Sequence, residues 1–348
     1  MKNHIIKNIL LLSILSVIAI ACEKWTNPES ITIQGLTPDK IPLKSNEYWE
    51  NLRAYKKSDH AIAFGWFGEW SGQGTSISTS LAGIPDSVDM VSIWGHWNNL
   101  TAIQKKDMEL VQQVKGTKVL MCFIVGNVGD GLGMPNKYWG ELSDTTKSQS
   151  STNLYKDHPA AIKKYVVAIV DTILKYNYDG FDIDYEPTVG APGNIATDKN
   201  NMAIFVTEMG KYLGPKSSSG KILDVDGQPD YLLASVGVYL DYFISQAYAC
   251  TSYSNLESRC NSMRFLAGFT PKKYIVTENF ESYWSTGGVT FTDRNGIKMA
   301  SLLGMAGWNP LDSRKGGAGT YHMEYEFPLN PDYNYLRKAI QIMNPAIK

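Results

Sequence analysis

The sequence lacks two features that would point to nucleic acid or to a multi-span membrane protein. It has almost no net charge, with 33 basic and 34 acidic side chains among 348 residues, so its electrostatics do not favour a nucleic acid partner. Beyond an apolar stretch at 9–20 it has no second long apolar run, whereas a membrane-spanning helix needs about 20 such residues. The expected partner is therefore uncharged or weakly charged.

Cysteine is also scarce. After Cys22 the chain contains only Cys122, Cys250 and Cys260, an odd number with no close pair and no histidine spacing of the kind a zinc site needs. We therefore expect neither a metal site nor a cofactor. Cys122 lies in the apolar run 119–125 and is expected to be a buried thiol. The sequence leaves open whether Cys250 and Cys260 pair in an oxidising compartment.

The N-terminal segment is typical of an export signal rather than of folded structure. Lys2 and Lys7 give a positive start, an apolar stretch follows, and small residues precede Cys22. Small residues just before a cysteine resemble the lipobox of bacterial lipoproteins, although Ala19 stands where leucine is more usual. The resemblance implies that residues 1–21 are removed and that Cys22 is lipidated. The alternative is an ordinary cleaved signal with an incidental cysteine.

The next segment, 22–47, has the composition of a tether. It contains Pro28, Pro38 and Pro42 among scattered polar residues. We expect the folded domain to occupy 48–348 as one unit, since no internal repeat or domain boundary is visible within it. Together with the lipid anchor, this organisation predicts an exported protein held at a bacterial outer membrane and displayed on the cell surface.

Within the domain, short apolar runs alternate with helical patterns, which is typical of a parallel sheet with crossover helices. The best helix is predicted at 159–176 and a second crossover helix at 201–213, while 190–200 and 315–319 are interpreted as loops. Eight strands with intervening helices favour an α/β fold of the (β/α)8 TIM barrel type. The predicted strands are 61–66, 90–94, 118–125, 180–185, 221–225, 242–248, 274–277 and 302–308.

The fourth predicted strand alternates acidic with apolar residues. Because successive side chains of a strand point to opposite faces, Asp182, Asp184 and Glu186 share one face. Burying neighbouring carboxyl groups costs free energy and raises at least one pKa, so stability alone does not account for the arrangement. The alternative is an edge strand with a polar face in water. The strong crossover helix upstream argues instead for a covered strand whose acids point into the barrel.

Residues 179–186, Asp-Gly-Phe-Asp-Ile-Asp-Tyr-Glu, resemble the Asp-Gly-x-Asp-x-Asp-x-Glu fingerprint of glycoside hydrolase family 18 at every position. The resemblance implies that Glu186 is the general acid/base at the C-terminal mouth of the barrel. It also implies that the N-acetyl oxygen of the substrate is the nucleophile, that Asp184 orients the acetamido group, and that Asp182 shares a proton with Asp184. Asp179, grouped with the substrate-binding residues, is expected mainly to hold the turn into the strand.

Two further strands provide candidate substrate-binding residues. Gln246 and Tyr248 fall on one face of the sixth predicted strand, where the family places a tyrosine that hydrogen-bonds the acetamido carbonyl. This stretch is more similar to the endo-β-N-acetylglucosaminidase branch than to many chitinases. Trp308 ends the eighth predicted strand and is expected to form the hydrophobic floor under the reacting sugar. For both aromatic residues the alternative is a place in the core.

The ends of other predicted strands add candidates. Trp66 and Trp94 end the first two strands and are candidates for lining sugar subsites. His96, between two tryptophans, is interpreted as structural. Asn127 after the third strand and Glu278 on the seventh are candidates for substrate hydrogen bonds.

Together these residues predict an endo-acting enzyme that cuts the N-acetylglucosamine-β-1,4-N-acetylglucosamine core of N-linked glycans. Its expected partners are glycans or glycoproteins that contain N-acetylglucosamine, together with other glycan-uptake proteins of the cell surface. A chitinase-type hydrolase is the alternative among enzymes. A glycan-binding lipoprotein without turnover is the alternative of another class, and Glu186 argues against it because barrel lectins usually lose this glutamate.

Overall fold

A computed structural model of the chain describes residues 44–72 and 77–346. The predicted signal segment 1–21, the lipidation candidate Cys22 and residues 23–43 of the predicted tether lie outside the described residues, so these assignments stay predictions. Helix α1, Asn46–Lys56, opens the described part. Ser45 caps it, because its hydroxyl accepts a hydrogen bond from the amide of Tyr48 at 3.1 Å.

Eight parallel strands form a closed barrel. The barrel strands are β1 Ile62–Phe67, β2 Met90–Trp94, β3 Lys118–Ile124, β4 Gly180–Tyr185, β5 Ile222–Gly227, β6 Tyr242–Gln246, β7 Tyr274–Asn279 and β10 Gly317–Tyr321. Strands β1 to β7 pair in chain order, and β10 closes the barrel between β7 and β1. A short antiparallel hairpin, β8 Thr290–Thr292 and β9 Lys298–Ala300, stands apart from it. The predicted (β/α)8 barrel is confirmed.

Helices follow most of the strands, together with short 3-10 turns. They are α2 Ala102–Leu110, α3 Asn136–Trp139, α4 His158–Tyr176, α5 Lys199–Met209, α6 Tyr253–Ser262, α7 Phe280–Tyr283, α8 Ser301–Gly307 and α9 Asn334–Met343. Within the described ranges, none of these helices combines the length and the hydropathy that crossing a membrane requires.

Helix α4 shows how the sequence positions the acidic strand. The Asp157 side chain caps its first turn by accepting from the Ala160 amide at 2.9 Å, and a proline in that turn suits the missing intrahelical N–H. The helix ends at Asn177, which adopts a left-handed conformation with φ of 59°. Its buried apolar residues belong to the same outer core as Phe181, Ile183 and Tyr185 of β4, so the other face of β4 points into the barrel.

The barrel separates two apolar regions. Phe181, Ile183 and Tyr185 of β4 belong to the large core between strands and helices. A smaller cluster fills the barrel interior and includes Phe64, Leu120, Cys122, Ile244 and Ile275. Side chains of β4 therefore alternate between the outer core and the barrel interior, as the sequence pattern predicts.

The prediction of the eighth strand was wrong. Residues 302–308 lie in α8 and at its end, and the last barrel strand is β10, in the glycine-rich segment that we interpreted as a loop. A short apolar run does not distinguish a strand from a buried helix. The glycines of β10 have a structural reason: a Cβ at Gly317 would overlap the carbonyl oxygen of Ile62, and one at Gly319 that of Phe64. Strands β1 and β10 therefore approach each other so closely that side chains at positions 317 and 319 would not fit.

The cysteines of the described residues are free and buried. Cys122 is buried, as predicted, and lies in the barrel interior, and Cys250 and Cys260 form no disulfide with each other. The thiols of Cys250 and Cys260 belong to the large outer core.

Candidate active site

The carboxyl groups of β4 form a row that ends at the C-terminal mouth of the barrel. Asp182 and Asp184 are almost completely buried, with exposed fractions of 0% and 4%. Glu186 follows the last residue of β4 and is half-buried. The structure therefore brings together the three acids that the sequence predicts, with Glu186 nearest to the solvent.

Hydrogen-bond donors surround the carboxyl group of Asp182 deep in the barrel. Its Oδ2 accepts from the indole Nε1 of Trp66 at 2.9 Å and from the hydroxyl of Ser92 at 2.7 Å. Burial raises the pKa of Asp182, and hydrogen bonds from Ser92, Asp226 and Asp224 oppose that rise. Trp66 thus stabilises the buried carboxyl row through its N–H. The sequence made it a candidate for lining a sugar subsite, but this residue is only 2% exposed, so we correct that role.

Strand β5 contributes two more acids that the sequence analysis missed. In the register between the strands, Asp224 lies beside Asp182 and Asp226 lies beside Asp184. Both are fully buried, and burial together with the neighbouring carboxyl groups raises their pKa values well above the ordinary range. The signal was present, because Ile222–Gly227 also alternates acid with apolar residue.

Asp184 lies between the deep acids and Glu186. Burial, then the charges of Glu186 and Asp182, raise its pKa well above the usual value, whereas a hydrogen bond with Asp226 acts in the opposite direction. Close like charges in a buried site are costly, so the row holds fewer negative charges than carboxyl groups at neutral pH. Such groups titrate as a coupled set.

Two glycines make room for Glu186. A Cβ at Gly190 would overlap its Oε2, and a Cβ at Gly227 would stand 3.0 Å from its Cγ. Gly227 also has a positive φ of 80°, a conformation that suits glycine. The loop after β4 and the end of β5 thus confine the Glu186 side chain on two sides.

Gln246 and Tyr248 reach the same mouth by different routes. Gln246 ends β6 and donates from Nε2 to Asp226 Oδ1 at 2.8 Å. Tyr248 lies beyond the strand, and burial followed by the charges of Asp226 and Asp184 raises its pKa well above the ordinary value. The structure thus places both predicted residues beside the carboxyl row.

A buried glutamate fixes the segment that follows Tyr248. Glu278 accepts at Oε1 from the amides of Ala249 and Asn279, each at 2.8 Å, and hydrogen-bonds Ser301 through Oε2. Ala249 has a positive φ of 52°, which is uncommon for a residue with a side chain. We correct the role expected for Glu278: it is committed to holding this backbone rather than to binding substrate.

Aromatic rings line the mouth beside the acids. Tyr321, the last residue of β10, stacks with Tyr248 at 6.1 Å between ring centroids. It also meets the rings of Trp66 and Trp94 edge-on at 6.2 Å each. Sequence analysis missed Tyr321 because β10 was not recognised.

Trp308 is not part of this group, and its predicted position was wrong. It is 2% exposed, follows α8, and belongs to the outer core rather than the barrel interior. Its ring packs edge-on against Tyr253 and Tyr274 at 6.4 and 6.2 Å. The alternative noted from the sequence, a core tryptophan, describes its position.

Asp179 and Asn127 are both committed to structure. Asp179 precedes β4, at the end of the barrel opposite the mouth, and accepts from Gln112 Nε2 at 2.8 Å and from Lys118 Nζ at 2.9 Å. It therefore holds the turn into the strand, as expected, and is not placed to bind substrate. Asn127 Oδ1 accepts from the Asn194 amide at 2.9 Å, so this side chain fixes the loop after β4.

Within residues 44–72 and 77–346, one group of side chains offers ligand atoms for a metal. Cys122, Asp182 and Asp226 each place one such atom within 4.8 Å of the others. The Asp182 oxygen that accepts from Trp66 and Ser92 already has two donors. We therefore interpret this group as part of the hydrogen-bonded carboxyl row, and the absence of a metal site stays a prediction.

Comparison with known proteins places these features in a family context. Residues 26–342 match the model described as glycoside hydrolase family 18, BT1044-like. The chain is 27% identical to endo-beta-N-acetylglucosaminidase F2 of Elizabethkingia meningoseptica over 366 aligned positions, which cover 97% of each protein. The solved structure of selenomethionine BT1044 with a glutamate-to-glutamine substitution is 35% identical. It gives a TM-score of 0.77 and covers 89% of this chain and 97% of that one.

A more distant structure shares the fold. The endo-beta-N-acetylglucosaminidase of Cordyceps militaris, solved as a double variant with fucosyl-N-acetylglucosamine-Asn, is 22% identical with a TM-score of 0.64. The match covers 89% of this chain and 99% of that one.

Proposed function

The chain belongs to glycoside hydrolase family 18, and from this premise we propose that it is an endo-β-N-acetylglucosaminidase acting on the chitobiose core of N-linked glycans. The observation that carries the proposal is the grouping of Asp184, Glu186 and Tyr248 at one barrel mouth. The similarity to endo-beta-N-acetylglucosaminidase F2 over nearly the whole of both chains supports the choice of substrate.

In the proposed reaction Glu186 acts first as an acid. The N-acetyl carbonyl oxygen of the substrate attacks the anomeric carbon, the bond to the leaving sugar breaks, and the leaving oxygen takes the proton of Glu186. The product of this step is a cyclic oxazolinium ion. Glu186 then takes a proton from a water molecule that attacks the same carbon, so the released glycan keeps its anomeric configuration.

The residues around Glu186 act on the acetamido group. The Asp184 carboxylate accepts the acetamido N–H and stabilises the positive charge of the oxazolinium ion, while the Tyr248 hydroxyl donates to the acetamido oxygen. Because Asp184 is 4% exposed, its charge acts in a site that excludes water, where such stabilisation is strong. A substrate without the 2-acetamido group would lack the nucleophile.

Aromatic residues provide the sugar contacts. Tyr321 and Trp94 are partly exposed at the mouth beside Tyr248, so their rings can pack against the C–H face of the sugar. We place the floor under the reacting sugar at Tyr321, the position that we had expected Trp308 to occupy.

Sequence features outside the described residues support the setting we propose. We infer from the N-terminal pattern that residues 1–21 are a signal, that Cys22 is lipidated, and that the segment from Cys22 to the start of helix α1 at Asn46 tethers the barrel to the outer membrane. The enzyme would then act at the cell surface on glycoproteins, beside other proteins of glycan uptake.

Mass spectrometry of a glycoprotein incubated with the enzyme tests the proposal. We expect a released glycan ending in one N-acetylglucosamine and a protein that keeps one N-acetylglucosamine on asparagine. Glu186→Gln should remove this activity, since a general acid/base contributes about 100- to 10,000-fold, and a fully active variant would overturn its role. Faster cleavage of chito-oligosaccharides would favour a chitinase, and binding without turnover would favour a lectin.

A further inference from the structure

The acids of β4 and β5 form two pairs, side by side on adjacent strands. Asp182 pairs with Asp224 in the deeper pair, and Asp184 pairs with Asp226 nearer the mouth. Carboxyl oxygens of Asp182, Asp184 and Asp224 are buried without an amide, hydroxyl or indole partner among the described residues. Buried polar atoms are normally satisfied, and protons shared between neighbouring carboxyl groups would satisfy these oxygens.

Asp226 differs from the other members of this group. Its Oδ1 accepts from Gln246 Nε2 at 2.8 Å, which fixes the orientation of the carboxyl group. The remaining oxygen, Oδ2, has only one weak donor among the residues that the structure describes, Cys122 Sγ at 3.9 Å, so it can carry a proton toward the neighbouring acids. Asp226 lies beside Asp184 in the register between the strands, and one of its oxygens is within 4.8 Å of an oxygen of Asp182, so it can connect these two acids of the family fingerprint.

The hydrogen bonds that each carboxyl group accepts indicate which one holds a proton. Asp182 Oδ2 accepts from Trp66 at 2.9 Å and from Ser92 at 2.7 Å, and accepting hydrogen bonds stabilises a carboxylate. Asp226 is 1% exposed, and burial followed by the charges of Asp184 and Asp182 raises its pKa well above the ordinary value. These contacts favour a charged Asp182 and a protonated Asp226.

We propose that Asp226 is a positioning residue: a neutral carboxylic acid, fixed by Gln246, that donates a hydrogen bond to Asp184 and couples it to Asp182. The inference rests on the proposed function, because its consequence is an Asp184 carboxylate held ready to accept the acetamido N–H. Since Asp226 acts through Asp184, it needs no contact with the substrate.

Two substitutions separate this role from simple packing. Asp226→Asn keeps an oxygen for Gln246 and supplies an N–H toward Asp184, so it mimics the neutral acid. Asp226→Leu keeps a similar volume but removes both hydrogen bonds. Asp230→Asn, the same change at an exposed position shortly after β5, is the matched control.

Kinetics on an N-glycosylated peptide provide the first readout. We expect Asp226→Asn to keep kcat within about threefold, and Asp226→Leu to lower kcat by about 10- to 100-fold with KM little changed, as expected for a lost hydrogen bond to a charged group. In the Asp184→Asn background, Asp226→Leu should have little further effect. Equal losses in the Asn and Leu variants, or losses that multiply in the double variant, would overturn the proposal.

The pH profile of kcat provides the second readout. Without its donor the Asp184 carboxylate is less stable, so the acidic limb should move to higher pH in Asp226→Leu and stay in place in Asp226→Asn; an unmoved limb in the Leu variant counts against the proposal. The titratable groups that face this pair, from strands β3, β4, β5 and β10 and from the segments after β4 and β6, are Cys122, Asp182, Glu186, Asp224, Tyr248 and Tyr321.

A measurement without substrate separates this inference from the proposed function. Carbon NMR of isotope-labelled aspartate in the full chain, assigned with Asp226→Asn, should show that Asp226 stays protonated through neutral pH. Ionisation of Asp226 below neutral pH would overturn its role even if the enzyme cleaves glycans. If the wild-type protein cleaves nothing, the proposed function fails while the NMR result still decides whether Asp226 is the donor. Melting temperatures confirm that each variant is folded.

Discussion

The carboxyl group of Glu186 lies against the α-carbon of Gly190, so closely that a Cβ at position 190 would overlap Oε2. Gly190 belongs to the loop after β4, and its amide donates to the carbonyl oxygen of Glu186 at 3.3 Å. The loop therefore turns back over the residue that we propose as the acid/base. Because Gly190 has no Cβ, there is space for the carboxyl group of Glu186.

Gly190→Ala should consequently displace Glu186 or the loop. We expect kcat to fall by about tenfold or more, because small misplacements of a catalytic group are costly, while the melting temperature changes little at this exposed position. Gly307→Ala is the control: it lies in α8, where the added Cβ would meet its nearest neighbour, Ile342, at 3.8 Å. Steady-state kinetics of both variants test the prediction, and normal turnover by Gly190→Ala would contradict it.

The buried acids also make the stability of the fold depend on pH. Asp224 is fully buried, and its pKa is raised well above the ordinary value by burial, then by Asp182 and Asp241. A group with a raised folded-state pKa contributes stability below its unfolded value of about 3.9, and this contribution is lost as pH rises toward the folded pKa. We therefore expect Asp224→Asn to raise the melting temperature, increasingly so at higher pH.

Thermal unfolding of the wild type and Asp224→Asn between acidic and alkaline pH measures this effect. The slope of unfolding free energy with pH should differ by up to about 1.4 kcal/mol per pH unit in that window. Asp230→Asn should follow the wild-type curve. Parallel curves for wild type and Asp224→Asn would show that Asp224 does not titrate in this way.

Tyr248 allows a test of the acetamido contact. Tyr248→Phe keeps the ring that stacks on Tyr321 and removes only the hydroxyl. We expect kcat to fall by about 10- to 100-fold, because the hydroxyl stabilises charge that develops on the acetamido oxygen in the transition state, with a smaller effect on KM. Comparable kcat in the Phe variant would place the hydroxyl outside the reaction.

The sequence was most informative where the residue pattern of a strand agreed with that of the helix before it. Strand β4 was predicted to the residue, because alternating acids follow a strongly amphipathic, well-capped helix. Asp226 was missed although β5 shows the same alternation, because the predicted strand ended at 225, whereas β5 continues to Gly227. The register that sets Asp226 beside Asp184 depends on pairing between strands, which no local pattern encodes.

Near the C-terminus the local sequence pattern was instead misleading. The run that contains Trp308 looks like a strand because it is short and apolar, but it forms α8 and packs in the outer core. The true last strand contains Gly317 and Gly319, residues with low strand preference. Close approach to β1 overrides that preference, and only this tertiary contact brings Tyr321 to the mouth.

The exchange of roles between Trp308 and Tyr321 is itself testable. Tyr321→Ala removes a ring that lies among Tyr248, Trp66 and Trp94, so we expect KM for a glycopeptide to rise by about tenfold, as loss of an aromatic contact worth about 1 kcal/mol or more predicts. Trp308→Phe should leave KM and kcat unchanged and lower the melting temperature, because it reduces packing in a buried core. Kinetics and thermal unfolding of both variants decide the matter. A raised KM in Trp308→Phe with normal stability would restore Trp308 to the sugar site, and a normal KM in Tyr321→Ala would remove Tyr321 from it.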